Sequence, residues 1–216
     1  MKILAFNGSP RRTANTATML EHAIKGAQEK GAEVELFNLY TMQFSGCISC
    51  FTCKRLDKER PIVCAVKDEL RPVLEKLRDI DGLLIASPIY FGSESAACRA
   101  LIERLCFPYL NYADYNNNHF PRPIPVGLIY TMNVTGEMWT SVGYDVNFGR
   151  TRDTLGRIFG SCAMVMAHNT TQYKDYSLYE ANATAEDKKA YRDAHFSQDC
   201  ENARLLGAQV ASGTVA

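Results

Sequence analysis

Short apolar runs without alternation recur along the chain and predict buried strands. The first run covers residues 2–6 and ends at a turn of Asn, Gly, Ser and Pro. A strand in a parallel sheet is covered on both faces, so its sequence loses the alternation of polar and apolar residues. Similar runs occur at 83–86, 125–131 and 163–167, and an alternating segment at 33–39 predicts one more strand.

Segments with apolar residues three or four positions apart separate these runs and predict helices. They cover residues 15–30, 68–79, 95–106 and 151–159, and residues 185–211 are predicted to form one helix or two. Strands that alternate with helices in this way favour an α/β fold, in which a doubly wound, five-stranded parallel sheet carries helices on both faces. No repeat or linker interrupts the pattern, so we expect one domain over residues 1–216.

The positive and negative charges of the chain balance. Of its 216 residues, 24 are Lys or Arg and 24 are Asp or Glu, so the formal net charge is zero. This balance provides no overall field that would attract nucleic acid or an anionic membrane. The first residues lack the pattern of a signal peptide, and no apolar stretch approaches the length of a membrane span. We therefore expect a cytoplasmic protein without nucleic-acid or membrane partners.

The loop after the first predicted strand has the composition of a phosphate site. Residues 7–16 combine small hydroxyl and amide side chains, two arginines and the free N–H groups at the start of a helix. Backbone donors and the helix dipole favour an anion at such a place. The loop has neither the Gly-Lys-Ser/Thr of a Walker motif nor the three glycines of the dinucleotide fingerprint. An ordinary capped loop is the alternative, because Ser, Thr and Asn are also common helix caps.

The loop predicted after the third strand offers an aromatic surface. Tyr90 and Phe91 are adjacent there, between Pro88 and Gly92. This composition predicts a flat apolar platform with accessible backbone N–H groups, which suits a planar heterocycle with polar edges. The alternative is that the two rings only close the end of the sheet. The loop after the fourth predicted strand, which begins at Thr131, adds further small polar groups.

Two segments, ILAFNGSPRRTANT at residues 3–16 and ASPIYFGS at residues 86–93, resemble the flavodoxin-like NAD(P)H-dependent FMN reductases. The resemblance implies FMN as the cofactor and the strand order 2-1-3-4-5. It implies that the phosphate of FMN is held by Ser9, Arg11, Asn15 and Thr16. It also implies that the isoalloxazine ring and the ribityl chain lie along Pro88, Ile89, Tyr90, Phe91 and Gly92, with Thr131 at the other edge of the flavin.

The resemblance further implies an oxidoreductase whose chemistry belongs mainly to its cofactor. Hydride would pass from NAD(P)H to the flavin, and electrons would pass on to a small acceptor such as a quinone or to a redox protein. We expect no catalytic nucleophile or base, because the four histidines are scattered and suggest no triad: His22, His119, His168 and His195. Two alternatives are an iron–sulfur flavoprotein that transfers electrons between protein partners and a flavin-binding module without turnover. The resemblance also implies a homo-oligomer, with a homodimer favoured.

Half of the eight cysteines are concentrated in one segment, at Cys47, Cys50, Cys53 and Cys64. This compact spacing suits a [4Fe–4S] cluster, and zinc could use the same thiolates. A disulfide or a redox-active thiol pair is a third option. The segment resembles iron–sulfur flavoproteins, but their fourth cysteine usually follows more closely, and the charged insert at 54–63 would have to loop outward. We therefore favour four cysteines without metal and keep the iron–sulfur cluster as the first alternative.

The other four cysteines lie singly in apolar or helical stretches, at Cys98, Cys106, Cys162 and Cys200. Free cysteine packs as a small apolar side chain, so burial is expected for these four.

Two long segments, 107–123 and 136–152, are rich in aromatic and polar residues. With Trp139, Tyr144 and Phe148 they predict a lid over the flavin or a subunit interface. The alternative is a solvated loop with scattered aromatic side chains.

Overall fold

A parallel sheet forms the centre of the computed structural model, which describes residues 1–57 and 63–215. Its strands are β1 (Lys2–Asn7), β2 (Glu33–Asn38), β3 (Gly82–Tyr90), β4 (Ser93–Glu94), β5 (Ile124–Thr131) and β6 (Gly160–Ala167). Five of them lie parallel in the order β2-β1-β3-β5-β6, and the two-residue β4 pairs antiparallel with β3 beside this path. The predicted order 2-1-3-4-5 is therefore confirmed, with β4 as a small addition.

In the described part of the chain, four helices connect the strands and a fifth follows β6. They are α1 (Asn15–Glu29), α2 (Arg71–Glu75), α3 (Ala96–Cys106), α4 (Tyr144–Phe159) and α5 (Ala185–Ser212). Short 3₁₀ turns occur at Leu39–Thr41, Thr52–Lys54, Lys76–Arg78, Phe107–Tyr109 and Tyr176–Leu178.

The helices cover both faces of the sheet, as the unalternating strands predict. On β1, Ile3 and Ala5 point to the core formed with α1 and α5, whereas Leu4 and Phe6 point to the core formed with α2, α3 and α4. Successive residues of a strand face opposite sides, so each central strand contributes to two apolar layers. This double burial leaves the strand ends and the loops beyond them as the places where polar chemistry is accessible.

The third strand is longer than predicted. Its pairing with β5 continues to Pro88, which lies opposite Thr131, and Tyr90 then pairs with Ser93 in a hairpin to β4. Proline rarely lies inside a central strand because it cannot donate to the ladder. Here β1 ends at Asn7, opposite Ala86, so at Pro88 the sheet continues only on the side of β5. The predicted loop 87–93 is thus mostly strand and hairpin.

Three predicted helices have different limits in the structure. The helix predicted at 68–79 begins at Arg71 after a turn in which Asp68 accepts from the Arg71 N–H, and it becomes a 3₁₀ turn after Glu75. The helix predicted at 151–159 begins at Tyr144, because Tyr144 packs on Phe148 at a ring separation of 5.3 Å. The last segment is one helix, which Thr184 caps at its start.

The aromatic segments contribute to the core. Tyr109 and Phe148 are buried. Phe120 packs between Tyr109 and Phe159, with ring centroids 4.9 and 4.8 Å away. The alternative of a solvated loop is therefore wrong for these side chains. The predicted outward loop at 54–63 includes residues 58–62, which lie outside the described residues.

Helices α1 and α5 cross in close contact at two glycines. A Cβ atom at Gly26 would lie 1.9 Å from the carbonyl oxygen of Arg204, and a Cβ atom at Gly207 would lie 1.8 Å from that of Ala23. Any larger residue would force the two backbones apart. The pair of glycines therefore limits how far α5 can shift relative to α1.

Across residues 1–57 and 63–215, the structure contains no helix that is both long enough and apolar enough to cross a lipid bilayer.

Candidate functional site

A cleft of about 170 Å³ lies at the carboxyl ends of four parallel strands. We call it the strand-end cleft. It is lined by Ser9, Arg11, Ala14, Asn15, Thr16, Pro88, Ile89, Tyr90, Thr131, Met132, Asn133, Thr170, Thr171 and Gln172. The chain crosses from one face of the sheet to the other between β1 and β3, and doubly wound sheets bind ligands at such a switch in strand order.

Eight of the ten residues predicted to bind the cofactor line this cleft. The other two, Phe91 and Gly92, form the turn into β4 and line a separate groove between α3 and α4. Both have positive φ angles, 50° and 74°, and the Phe91 ring is fully exposed. The hairpin therefore turns Phe91 away from the cleft, whereas Tyr90 remains at its wall.

The start of α1 is open to an anion. Its N-terminal cap is Ala14, which has no side-chain cap, and the first turn contains no acidic residue. The alternative of a capped loop is therefore wrong, and the positive end of the helix dipole is left for a ligand. Ser9 shapes the preceding loop, because its N–H donates to the Asn7 side chain at 3.0 Å and its hydroxyl accepts from the Arg11 N–H at 3.1 Å.

A hydroxyl pair lies at the floor of the cleft. The Oγ1 atoms of Thr16 and Thr131 are 2.7 Å apart, and both side chains are buried. The pair joins the first turn of α1 to the end of β5. Each hydroxyl keeps a free lone pair or proton after this contact, so the pair can bind one further polar group.

The loop after β6 forms a wall of the cleft that the sequence did not identify. The Asn15 amide donates to the Thr171 carbonyl at 2.9 Å, and the Arg11 guanidinium donates to the Gln172 carbonyl. Arg192 of α5 donates to the Asn15 side chain at 2.5 Å. The only signal in the sequence was the run of small polar residues at 169–171, directly after the fifth predicted strand.

Lys188 connects two loops behind the cleft. Its side chain is 2% exposed, and its ammonium donates to the side chains of Asn133 and Asn169 and to the Thr170 carbonyl at 3.5 Å. Burial lowers the pKa of Lys188. Because Asn133 and Thr170 line the cleft, this lysine holds its wall in place. The polar sequence around Lys188 gave no sign of burial.

Tyr90 places a phenol at the mouth of the cleft. Its side chain is about half exposed. Partial burial raises the pKa of Tyr90, while the nearby charge of Arg11 acts in the opposite direction. The phenol therefore stays protonated at neutral pH and can donate a hydrogen bond to a ligand.

The four clustered cysteines surround one small cavity of about 10 Å³, which we call the cysteine cavity. Cys53 and Cys64 are buried, Cys47 is half-buried and Cys50 is exposed. Burial raises the pKa of Cys53, and the neighbouring thiols Cys64, Cys47 and Cys50 add to this, although Lys54 opposes it. Within the described ranges, no three His, Cys, Asp or Glu side chains are placed to hold a metal ion.

Arg104 fixes the chain on both sides of the cysteine cavity. It is 1% exposed, and its guanidinium donates to both carboxylate oxygens of Asp68, at 2.8 and 3.1 Å. It also donates to the Ser45 carbonyl at 2.9 Å. Burial alone would raise the pKa of Asp68, but the hydrogen bonds and charge of Arg104, with backbone N–H groups, lower it overall.

The structure also shows where the single cysteines and the histidines lie. Burial is confirmed for the four single cysteines, Cys98, Cys106, Cys162 and Cys200. The histidines lie on four different parts of the chain. His168 packs against Trp139 with ring centroids 5.5 Å apart, and burial lowers its pKa.

Comparison with curated proteins shows similarity to iron–sulfur flavoproteins. A protein of that name from Methanocaldococcus jannaschii is 34% identical over 104 residues, which cover 48% of this chain and 51% of the relative. Another from Archaeoglobus fulgidus is 31% identical over 128 residues, covering 59% of this chain and 60% of the relative. The chain thus matches only about half of the length of these curated relatives.

Comparison with solved structures shows the same fold across nearly the whole chain. An NAD(P)H:quinone oxidoreductase from Methanothermobacter marburgensis has a TM-score of 0.69 at 17% identity, covering 97% of this chain and 98% of that one. An azoreductase has a TM-score of 0.61 at 11% identity, covering 97% of this chain and 100% of that one. These similarities establish a flavodoxin-like fold. The family model of NADPH-dependent FMN reductases matches residues 1–138, and the chain belongs to this family.

Proposed function

We propose that the protein is an FMN-dependent oxidoreductase that takes hydride from NAD(P)H and passes electrons to a small acceptor such as a quinone. One observation carries the proposal. Eight residues predicted from separate segments of the sequence surround one cleft, at the uncapped start of α1. The family of the chain and the position of the cleft at the carboxyl edge of the sheet support the same cofactor.

The residues of the strand-end cleft fit the parts of FMN. The open N–H groups of α1, with Ser9, Arg11 and Thr16, have the donors that a phosphate requires. The backbone of β3 from Pro88 to Tyr90 provides a wall for the ribityl chain and the ring. Polar donors at one end and an aromatic wall along the cleft are what a phosphorylated flavin needs.

The role of the protein in the reaction is to bind and orient. When FMN is bound, the flavin supplies the hydride-accepting and electron-donating chemistry. Arg11 and the α1 dipole hold negative charge at one end of the cleft, and Lys188 keeps Asn133 and Thr170 in place at its wall. We assign no side chain as nucleophile or general base.

The proposal is tested by the cofactor content and by a matched pair of variants. The purified protein should bind FMN, and NADH or NADPH should bleach the flavin absorbance. Thr16→Val removes one hydroxyl of the buried pair with little change of volume, and should weaken FMN binding about tenfold, the value of one hydrogen bond to a charged group. Thr154→Val is the control, since its hydroxyl bonds only the Arg150 carbonyl of its own helix. Failure of the wild-type protein to bind FMN would overturn the proposal.

A second candidate function is that of an iron–sulfur flavoprotein which exchanges electrons with a protein partner. The observation in its favour is that all four clustered thiols line the cysteine cavity. They provide the donor set of an iron–sulfur cluster. A cavity of about 10 Å³ has room for roughly one water, so the thiols would have to move apart around a cluster. Iron and sulfide analysis after purification without oxygen tests this candidate: about four irons per chain would support a [4Fe–4S] cluster, and fewer than about one per chain would reject it.

We further propose a homodimer in a cytoplasmic setting. The fully exposed Phe91 ring at the edge of the sheet supports an interface near the cleft, since exposed aromatic side chains are enriched in interfaces. Light scattering on the wild-type protein and on Phe91→Ser tests the assembly. A wild-type monomer at micromolar concentration would contradict the dimer. A protein that binds FMN and is bleached by neither NADH nor NADPH would instead be a flavin-binding module without turnover.

A further inference from the structure

A second and larger cavity lies beside the anion-binding end of the strand-end cleft. It has a volume of about 620 Å³ and is bounded by the start of α1, by Arg192 of α5 and by the loop before α5. We call it the side cavity. Five residues line both this cavity and the strand-end cleft, so the two are contiguous: Arg11, Ala14, Asn15, Thr171 and Gln172. A ligand held at the start of α1 can therefore extend from one into the other.

The outer wall of the side cavity is an ordered loop with internal side-chain contacts. Strand β6 ends at 167 and α5 begins at 185, which leaves 17 residues between them. Most connections in compact proteins are shorter, and long ones are often functional. Inside this loop, the Tyr176 hydroxyl bonds the backbone and the side chain of Gln172 at 3.0 and 3.1 Å. The rings of Tyr173 and Tyr179 stack at 4.5 Å with an angle of 9° between their planes.

The tyrosine stack presents an open aromatic face. Tyr179 is 56% exposed, and the adjacent Leu178 is exposed as well. Both line the cavity. A planar base stacks readily on such a face, and each base stacked on an aromatic side chain contributes about 1–3 kcal/mol to binding.

The charges of the side cavity favour an anion. Among the described residues that line it, Arg11, Lys174 and Arg192 are cationic and Asp175 is the one acid. Asp175 is already bound to the backbone N–H and the hydroxyl of Ser177, at 2.9 and 2.7 Å. Arg192 is fixed in position, because its guanidinium lies 3.9 Å from the centroid of the Phe196 ring. An aromatic face and fixed cations together match a nucleotide, which has a planar base and a phosphate.

We propose that the side cavity binds an adenine nucleotide, with its base on Tyr179 and its phosphate at Lys174 and Arg192. The inference rests on the proposed function, because two adenine nucleotides suit a flavin oxidoreductase. One is the 2′-phosphorylated half of NADPH. The other is the AMP half of FAD, which continues from the flavin phosphate at the start of α1. In FAD the AMP phosphate is bonded directly to the phosphate of the flavin, and for NADPH the shared lining of the two cavities leaves a path between them.

The test measures nucleotide binding separately from FMN binding. In the first arm, the FMN-loaded protein is titrated with adenosine 2′,5′-bisphosphate in a calorimeter. In the second arm, the affinities of the flavin-free protein for FAD and for FMN are compared in the same way. Tyr179→Ala should weaken the nucleotide by about 5- to 150-fold, which corresponds to the stacking energy, and Lys174→Gln should weaken it further. Neither residue lines the strand-end cleft, so FMN affinity should not change. Tyr115→Ala, at a similarly exposed tyrosine outside the cavity, is the control.

The arms identify the source of the nucleotide. If the bisphosphate binds and Tyr179→Ala raises KM for NADPH at unchanged kcat, the cavity serves NADPH. If FAD binds more tightly than FMN and Tyr179→Ala abolishes only that difference, the cavity serves FAD. The inference is overturned if FMN binds but neither nucleotide shows added affinity, or if Tyr179→Ala leaves both affinities unchanged. Absence of FMN binding itself would instead count against the proposed function.

Discussion

Replacing Arg104 by methionine should destabilise the protein by about 3–5 kcal/mol, the usual cost of removing one partner from a buried ion pair. Arg104 is 1% exposed and makes two charged hydrogen bonds to Asp68 and one to the Ser45 carbonyl. Methionine fills much of the volume but leaves the Asp68 carboxylate without its cation. In a chain of 216 residues each kcal/mol shifts Tm by about 2–4 °C, so Tm should fall by about 6–20 °C.

Urea unfolding at pH 7 measures this loss, and two further variants show its origin. Arg152→Met removes one partner of an exposed pair with Asp153, so its cost should stay within about 1 kcal/mol. Asp68→Leu combined with Arg104→Met removes both charges and should be more stable than Arg104→Met alone. A loss below about 1 kcal/mol for Arg104→Met, or additive effects in the double variant, would refute the reasoning.

Acidic pH provides an independent check of the same pair. The pKa of Asp68 is lower in the folded protein than in the unfolded chain, so its contribution is complete above the unfolded value of about 3.9. That contribution is lost as the pH falls further, through the lowered pKa. The difference in unfolding free energy between wild type and Arg104→Met should therefore shrink from pH 7 to about pH 3. A difference that stays constant over this range would show that the ion pair is not its source.

Two more predictions concern cysteine reactivity and helix packing. Iodoacetamide should alkylate Cys50 before Cys98 in the native protein. Hydrogen bonds from the Thr52 side chain and backbone lower the pKa of Cys50, whereas burial raises the pKa of Cys98 to about 12. Peptide mass spectrometry with and without urea measures the labelling, and native labelling of Cys98 at a similar rate would contradict the prediction. Gly207→Ala should cost about 3 kcal/mol, because its Cβ would meet the Ala23 carbonyl. Gly149→Ala, with nothing within 4 Å of the new Cβ, should gain about 0.5–1 kcal/mol in urea unfolding, and equal effects would exclude the steric explanation.

The sheet could be predicted because strands buried on both faces have a distinctive sequence. Ile3 to Phe6 are all apolar, and each alternate side chain enters a different core. The continuation of β3 through Pro88 could not be predicted, since it depends on pairing with Thr131, more than forty positions away. Local sequence rules treat proline as the end of a central strand. Pro88 can continue β3 because β1 ends at Asn7 and does not pair with β3 beyond this point.

The candidate site was predictable only in part. Ser9, Arg11 and Thr16 belong to one loop whose composition alone indicates an anion. Thr171 and Gln172 reach the cleft only because Arg11 and Asn15 bind their carbonyl groups, and those contacts span more than 150 residues. Backbone carbonyls leave no mark on the amino-acid sequence, so this wall of the cleft requires the structure.

Helices α1 and α5 pack closely at Gly26 and Gly207, so the segment that matches the family model is shorter than the unit that we expect to fold. Residues 1–138 match the family model. Two elements of that segment, α1 and β5, pack or pair with α5 and β6, which lie beyond residue 138. A chain cut after 138 would leave an apolar helix face and an open strand edge in water. We propose that residues 1–216 fold as one domain. The last 78 residues then belong to the folded core and also form a wall of the side cavity. Substitutions there can change ligand preference only if they preserve the packing of α5 on α1.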